Sequence, residues 1–575
     1  MDKKKLAALL AIILTLASCG NTNTTSSGNS SSGEENTASA ITTAGENNSI
    51  RLTAATTTIA AETTTEITEE TTVETVAEEP PSVEPDTYAS PTADEFIYED
   101  AEWLDGMLIT GYTGTDEAII IPAKLDGKPV KEVDLSTNET IKFVKFEDGF
   151  ADGYAFNFSE CPKLEKVQFA EGAAEIIRKA FYNCARLFTV NIPSSVANID
   201  EEAFSGCAKL NGVNLPEKLQ AIGGKAFSGC ASLESIDIPE GMTEIPADLF
   251  RDCSCLKKVV LPQSLEKIGA SVFYGCSSLT DITLPDGVIE LGAYSNGAYD
   301  QGVFNGCTSL KKMVIPESVI NIGENTFNGC SSLEEVVLPN NLDEVRSFMF
   351  DGCSSLKKID LPITLTSIES YAFRGCSSLE AIDLPYSLTL INTSAFSGCS
   401  SLKSIELPPS VTCERQSVFR DCSSLEKVGL PFGITEIEDS YFDGCANLKE
   451  IEIPDTVVTI GMNAFSRTGL NQITLPSALK SIGEWAFFEC PELEKVDMSN
   501  VDTDENNVLT LERCIFLNCY ALKEVILPDN VELLTDTPGY YQTFNGCELV
   551  NVTYRGTVYS GEDKLKELYA IIGKQ

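Results

Sequence analysis

From about residue 95 onward, apolar side chains return at fixed intervals, and the same interval recurs many times. One unit shows the rule: Ser354-Ser355-Leu356-Lys357-Lys358-Ile359-Asp360-Leu361-Pro362, then Leu365, Ile368, Ala372, Phe373 and Cys376. Ile359 and Leu361 alternate with Lys358 and Asp360, which is the period of a strand with one buried face. Pro362 ends that strand, because proline has no N–H to give to a ladder. Leu365 and Ile368 open a second short segment, and Ala372-Phe373 make a turn that re-enters the core. Phe recurs at 158, 181, 204, 227, 250, 273, 304, 327, 350, 373, 396, 419, 442, 465, 487, 516 and 544, mostly in steps of 23 residues. Such regularity predicts a solenoid, since one unit buries too little apolar surface to offset the ordering of its own backbone. Seventeen strands at about 4.8 Å extend roughly 80 Å.

The ends of the array depart from the period, as covers for its open edges must. Residues 96–157 hold an N-terminal cap and the first irregular repeats, including Trp103-Leu104-Asp105-Gly106-Met107-Leu108-Ile109-Thr110-Gly111-Tyr112. The regular array is expected over 158–559, and a capping helix over 560–575, where Leu565, Leu568 and Ile572 share one face. Ser560 and Asp563 have the spacing of a capping box at its start.

Upstream the pattern changes twice. Lys3, Lys4 and Lys5 precede a mostly apolar run from Leu6 to Leu16, which is too short for a bilayer span and right for an export signal over residues 1–18. The run ends in Leu16-Ala17-Ser18-Cys19-Gly20, which resembles the lipobox of bacterial lipoproteins; the resemblance implies cleavage before Cys19 and diacylglyceryl transfer to its sulfur. From Cys19 to residue 95 the chain is rich in Thr, Ser and Glu, with too few large apolar residues to fold. Read as a tether, roughly 75 such residues reach about 45–50 Å. These features place the rest of the chain outside the cytoplasm, lipid-anchored at a bacterial cell surface.

Charge and chemistry then narrow the function. A net charge of −45 repels phosphate backbones and anionic headgroups, which excludes nucleic acid as a partner. The chain contains no histidine, so Ser-His-Asp and Cys-His arrangements and imidazole zinc sites are impossible. No cofactor or metal motif is present. Asp502-Thr503-Asp504-Glu505-Asn506 begins like a calcium loop, but Asn507 and Arg513 stand where an EF-hand needs Gly and Glu. Paired carboxylates remain open to a glycoside hydrolase, although the acidic residues repeat with the period and form no unique cluster.

The pattern Leu-x-x-Ile-x-Leu-Pro-x-x-Leu-x-x-Ile-x-x-x-Ala-Phe-x-Gly-Cys, as in residues 356–376, resembles the BspA-like class of leucine-rich repeats. Ile109-Thr110-Gly111-Tyr112-Thr113-Gly114 is similar to the usual opening of such arrays. The resemblance implies a β-rich solenoid of leucine-rich repeats, about 23 residues each, stacked in a single array with N- and C-terminal caps. It further implies surface display and binding to host matrix proteins, other cells or glycans, and it brings no catalytic residues. An envelope spacer without a specific ligand is the plainer alternative.

Sixteen Cys fall three residues after a repeat Phe, and Thr468 takes that place once. Export permits disulfides, but a hydroxyl of similar size at Thr468 favours free, buried thiols that fill space. Cys255, Cys413 and Cys514 lie off this ladder and are expected nearer the surface. The outward strand positions run Asp237, Val260, Thr283, Val314, Val337, Asp360, Asp383, Glu406, Gly429 and Glu452. Three of four successive rungs there are apolar, beside an acidic run. An eight-residue insertion around Gly292-Ala293-Tyr294-Ser295-Asn296-Gly297-Ala298-Tyr299 breaks the period in the same region, with a composition found in adaptable binding loops. Val260, Val314 and Val337, with Tyr294 and Tyr299, are therefore the candidate ligand-binding residues.

Overall fold

The structure is a computed structural model that describes residues 85, 87–150, 152–292, 301–412, 416–504, 506–534 and 543–574. The expected signal, Cys19, most of the tether, Tyr294, Tyr299 and Cys413 lie outside them. From Glu79 on the chain is one compact unit, a β-solenoid of stacked repeats.

Each rung has three sides. The first is a short strand whose central apolar residue points inward, as in Lys258–Val260, Lys312–Val314 and Glu335–Val337. The second is a two-residue strand that opens a parallel ladder, for example Glu344–Val345 beside Ser367–Ile368 and Leu390–Ile391. The third is the Phe turn. There Phe327, Phe350 and Phe373 donate backbone N–H groups to Met349, Ala372 and Ala395 at 2.8–2.9 Å, so this side also hydrogen-bonds rung to rung. The expected strand around Ile359 is not regular: Ile359 is buried, but residues 358–360 make no strand pairing. That rung is held by its second strand and its Phe turn instead.

The repeat Phe rings form a continuous stack from Phe158 to Phe544. Neighbouring centroids are 5.1–5.9 Å apart and planes lie within 2–19° of parallel. The residue two after Phe sits at positive φ, for example +74° at Gly352 and +71° at Gly375, which explains the Gly of the motif. Asp252, Asp421, Arg467 and Glu489 occupy the same conformation in other rungs.

All the ladder thiols are free and buried. They are more than filler. From Cys184 to Cys547 each Sγ donates to the carbonyl of the Phe in the rung before, at 2.9–3.3 Å. Thr468 turns its hydroxyl to Phe465 O of its own rung at 2.8 Å and lies 3.4 Å from Cys490 Sγ. Cys255 is exposed, but Cys514, expected near the surface, is 6% exposed, beside Trp485, which holds the same position in the preceding rung.

Antiparallel hairpins close the edges. Phe96–Ala101 pairs with Gly106–Tyr112, and Thr557–Ser560 pairs back on Asn551–Tyr554. The C-terminal helix Glu562–Ile572 buries Leu568, Tyr569 and Ile572. Its N-cap is Gly561 with no side-chain cap bond, so the capping box expected from Ser560 and Asp563 is absent. Ser560 is held in the hairpin strand, one residue too early to cap. After the helix, Gly573–Lys574 adds to Val531–Leu534 and ends the second ladder.

Candidate binding flank

The outward residues of the first strands stand in a row because strand pairing is parallel and in register. Asp237 pairs with Val260, and Val314 with Val337. Alternation leaves the middle residue buried and its neighbours in water. Val260, Val314 and Val337 are accordingly 40%, 49% and 43% exposed. Lysines and carboxylates flank them and pair across rungs: Lys312 with Glu335 at 2.9 Å and Lys257 with Glu234 at 3.1 Å. Carboxylates engaged this way are structural partners of the next rung.

Residues 293–300 of the insertion lie outside the described residues; before them Glu290–Leu291 is a second-side strand, and after them Val303 and Phe304 belong to the Phe turn. Gln301 accepts a hydrogen bond at 2.8 Å from Arg251, whose guanidinium lies 4.1 Å from the Tyr274 ring centre.

The structure adds a second apolar row that reasoning from strand periodicity missed. It lies on the turn after the first strand, at the residue following the rung proline. Ile363, Tyr386 and Phe432 there are 85%, 89% and 87% exposed, with exposed Pro409 between the last two. Each turn is closed by a backbone bond to the proline carbonyl, from Leu365, Leu388, Val411 and Ile434 at 3.0–3.1 Å. Hydroxyls of the following rung fasten the exposed residues' own carbonyls. Ser387 donates to Ile363 O at 2.7 Å, Ser410 to Tyr386 O at 3.4 Å and Thr456 to Phe432 O at 2.9 Å.

Earlier rungs put polar residues at this position and use them. Glu317 accepts from both the backbone and side-chain nitrogens of Asn340, at 2.9 and 2.7 Å, and Glu240 accepts from the Gln263 backbone at 3.1 Å. Three large apolar residues and a proline in succession forgo those side-chain bonds and stay in water, so rung stacking does not explain them. The readable signal was a change from Glu240, Gln263, Asp286, Glu317 and Asn340 to Ile363, Tyr386, Pro409 and Phe432 at one repeat position.

In-register rungs with a buried Leu, a buried Ile or Val, a buried Phe and, in all but one, a buried Cys define a leucine-rich-repeat solenoid. The chain belongs to the BspA type leucine rich repeat family, which matches residues 135–257, 174–299, 297–426 and 415–551. Among solved structures, it is similar to a leucine-rich repeat protein from Bacteroides ovatus at 22% identity, over 80% of this chain and 99% of that one, with a TM-score of 0.44. A leucine-rich repeat protein from Eubacterium ventriosum is 22% identical over 53% and 83% of the two chains, with a TM-score of 0.37. A leucine rich cell surface protein from Faecalibacterium prausnitzii is 20% identical over 85% and 99%, with a TM-score of 0.32. No curated protein matches the chain.

Proposed function

We propose that the chain is a cell-surface binding module, held to the membrane by lipid on Cys19 and lifted from it by residues 19–95, and that it recognises host matrix proteins, other cells or glycans without catalysis. The observation that carries this reading is the apolar surface left in water on the rungs from Val260 to Phe432, on a protein whose outward positions are otherwise largely charged. Membership of the BspA-type family supports it, as does the pairing of strand-face carboxylates with lysines of adjacent rungs, which leaves them poor candidates for acid–base work.

The test is binding of the purified chain to immobilised matrix proteins, mucins and bacterial glycans. Val260→Asp, Val314→Asp and Val337→Asp combined should abolish capture while the far-UV circular dichroism spectrum stays unchanged. Unaltered capture by a folded triple variant would remove the valine row from the site, and no capture by the wild type would favour a spacer. For the anchor, Cys19→Ala should release the chain from the membrane fraction and end incorporation of labelled palmitate.

A further inference from the structure

We infer that Ile363, Tyr386, Pro409 and Phe432 form a docking ridge for an extended polypeptide segment that carries lysine or arginine together with apolar side chains. The inference rests on the reading of the chain as a binder and names the partner chemistry of one part of its flank. Consecutive rungs are about 4.8 Å apart, so the four side chains cover about 14 Å, the length of roughly four extended residues. Their turns are closed and the carbonyls of Ile363, Tyr386 and Phe432 bonded to the next rung, so binding orders little backbone.

Charge along one border selects the partner. Three residues before three of the four ridge residues stands an exposed acid: Asp360 before Ile363, Asp383 before Tyr386, Glu406 before Pro409, with Gly429 before Phe432. Lys358 answers Asp360 at 2.7 Å. The opposite border is neutral: Thr366, Thr389 and Thr412 spend their hydroxyls on carbonyls of the preceding rung at 2.9–3.1 Å. An apolar line with acid along one side attracts a segment that is apolar and basic, and a chain of net charge −45 repels acidic partners and copies of itself.

The probes are three labelled 12-residue peptides, built from Lys-Leu-Lys-Thr, Glu-Leu-Glu-Thr or Lys-Ser-Lys-Thr repeats, titrated into the full chain by fluorescence anisotropy. Only the Lys-Leu-Lys-Thr peptide should bind. Tyr386→Ser and Phe432→Ser should each weaken it roughly tenfold, the fold-change of a moderate interface contact. Asp383→Asn with Glu406→Gln should weaken it and flatten its salt dependence, while Ile320→Ser, exposed but off the ridge, should leave it unchanged.

Equal binding of Lys-Ser-Lys-Thr would show a merely acidic surface and overturn the ridge. Binding of Glu-Leu-Glu-Thr, or indifference to Phe432→Ser, would also overturn it. So would a dimer in sedimentation velocity that Phe432→Ser dissolves, because the occupant would then be a second copy. If the peptides fail while capture of matrix proteins still depends on the valine row, the ridge assignment falls and the binder reading stands.

Discussion

Replacing Phe350 by Ala removes a ring that is 0% exposed and lies between Phe327 and Phe373, with centroids 5.6 and 5.4 Å away and planes within 5° and 12°. Deleting a buried Phe costs about 3–5 kcal/mol. Within that loss are two ring contacts worth about 0.5–1.5 kcal/mol each. The backbone bonds of the turn do not need the ring: Phe350 N–H still reaches Ala372 O, and Cys376 Sγ still reaches Phe350 O at 3.2 Å. Since each rung of a solenoid touches only its neighbours, the damage should stay local and make a weak joint. In hydrogen exchange, amides of the rungs at Phe327, Phe350 and Phe373 should lose protection by roughly two to three and a half orders of magnitude, at 1.4 kcal/mol per tenfold. Rungs near Phe181 or Phe516 should keep theirs. A loss below tenfold, or one spread evenly along the array, would refute the idea that cohesion passes from neighbour to neighbour through this stack.

Three further outcomes follow from the thiols and the turn. Burial pushes the thiols from Cys207 to Cys445 upward, to about 12 at Cys330 and Cys422. Folded values raised above the unfolded thiol's mean stability that is complete below about pH 8.5 and lost as pH rises toward 12, at about 1.4 kcal/mol per thiol per pH unit. Circular dichroism should therefore show alkaline unfolding within a unit or two above about pH 8.5, and an array still folded at pH 11 would contradict it. For the same reason, a maleimide at neutral pH should label Cys255 in the native chain and leave Cys330 and Cys353 unlabelled until denaturant is added. Gly375→Ala should cost only about 1–2 kcal/mol in urea unfolding. The new Cβ meets nothing nearer than 3.7 Å and only the φ of +71° resists it, so a cost above 3 kcal/mol would mean a clash that the geometry does not contain.

The array was legible because its signals are local and repeated: period-2 alternation, a proline stop and Phe-x-Gly-Cys at 23-residue steps require no knowledge of distant contacts. The valine row followed from the same alternation. The ridge at Ile363, Tyr386, Pro409 and Phe432 did not, because turn positions carry no periodicity of burial and a residue after proline reads as loop. Only the observation that polar residues at this position bond the next rung sets the apolar ones apart. The thiol bonds were hidden for a different reason. Composition identifies a small buried residue, whereas a donor is recognised only when the Phe carbonyl of the preceding rung is in place, as at 3.1 Å from Cys353 to Phe327. Cys514 is buried although it lies off the ladder, because its cover is a residue of another rung, Trp485, which no local pattern reveals.

Hydroxyl-radical footprinting of the chain with and without a captured partner asks most directly where contact is made. Protection at Val260, Val314, Val337, Tyr386 and Phe432, with Trp103, Tyr520 and Leu549 as reactive as in the free chain, is the predicted pattern; these last three are 73%, 63% and 63% exposed and lie off the flank. Protection confined to Trp103, Tyr520 or Leu549, with the valines and the ridge still open to radicals, would contradict it.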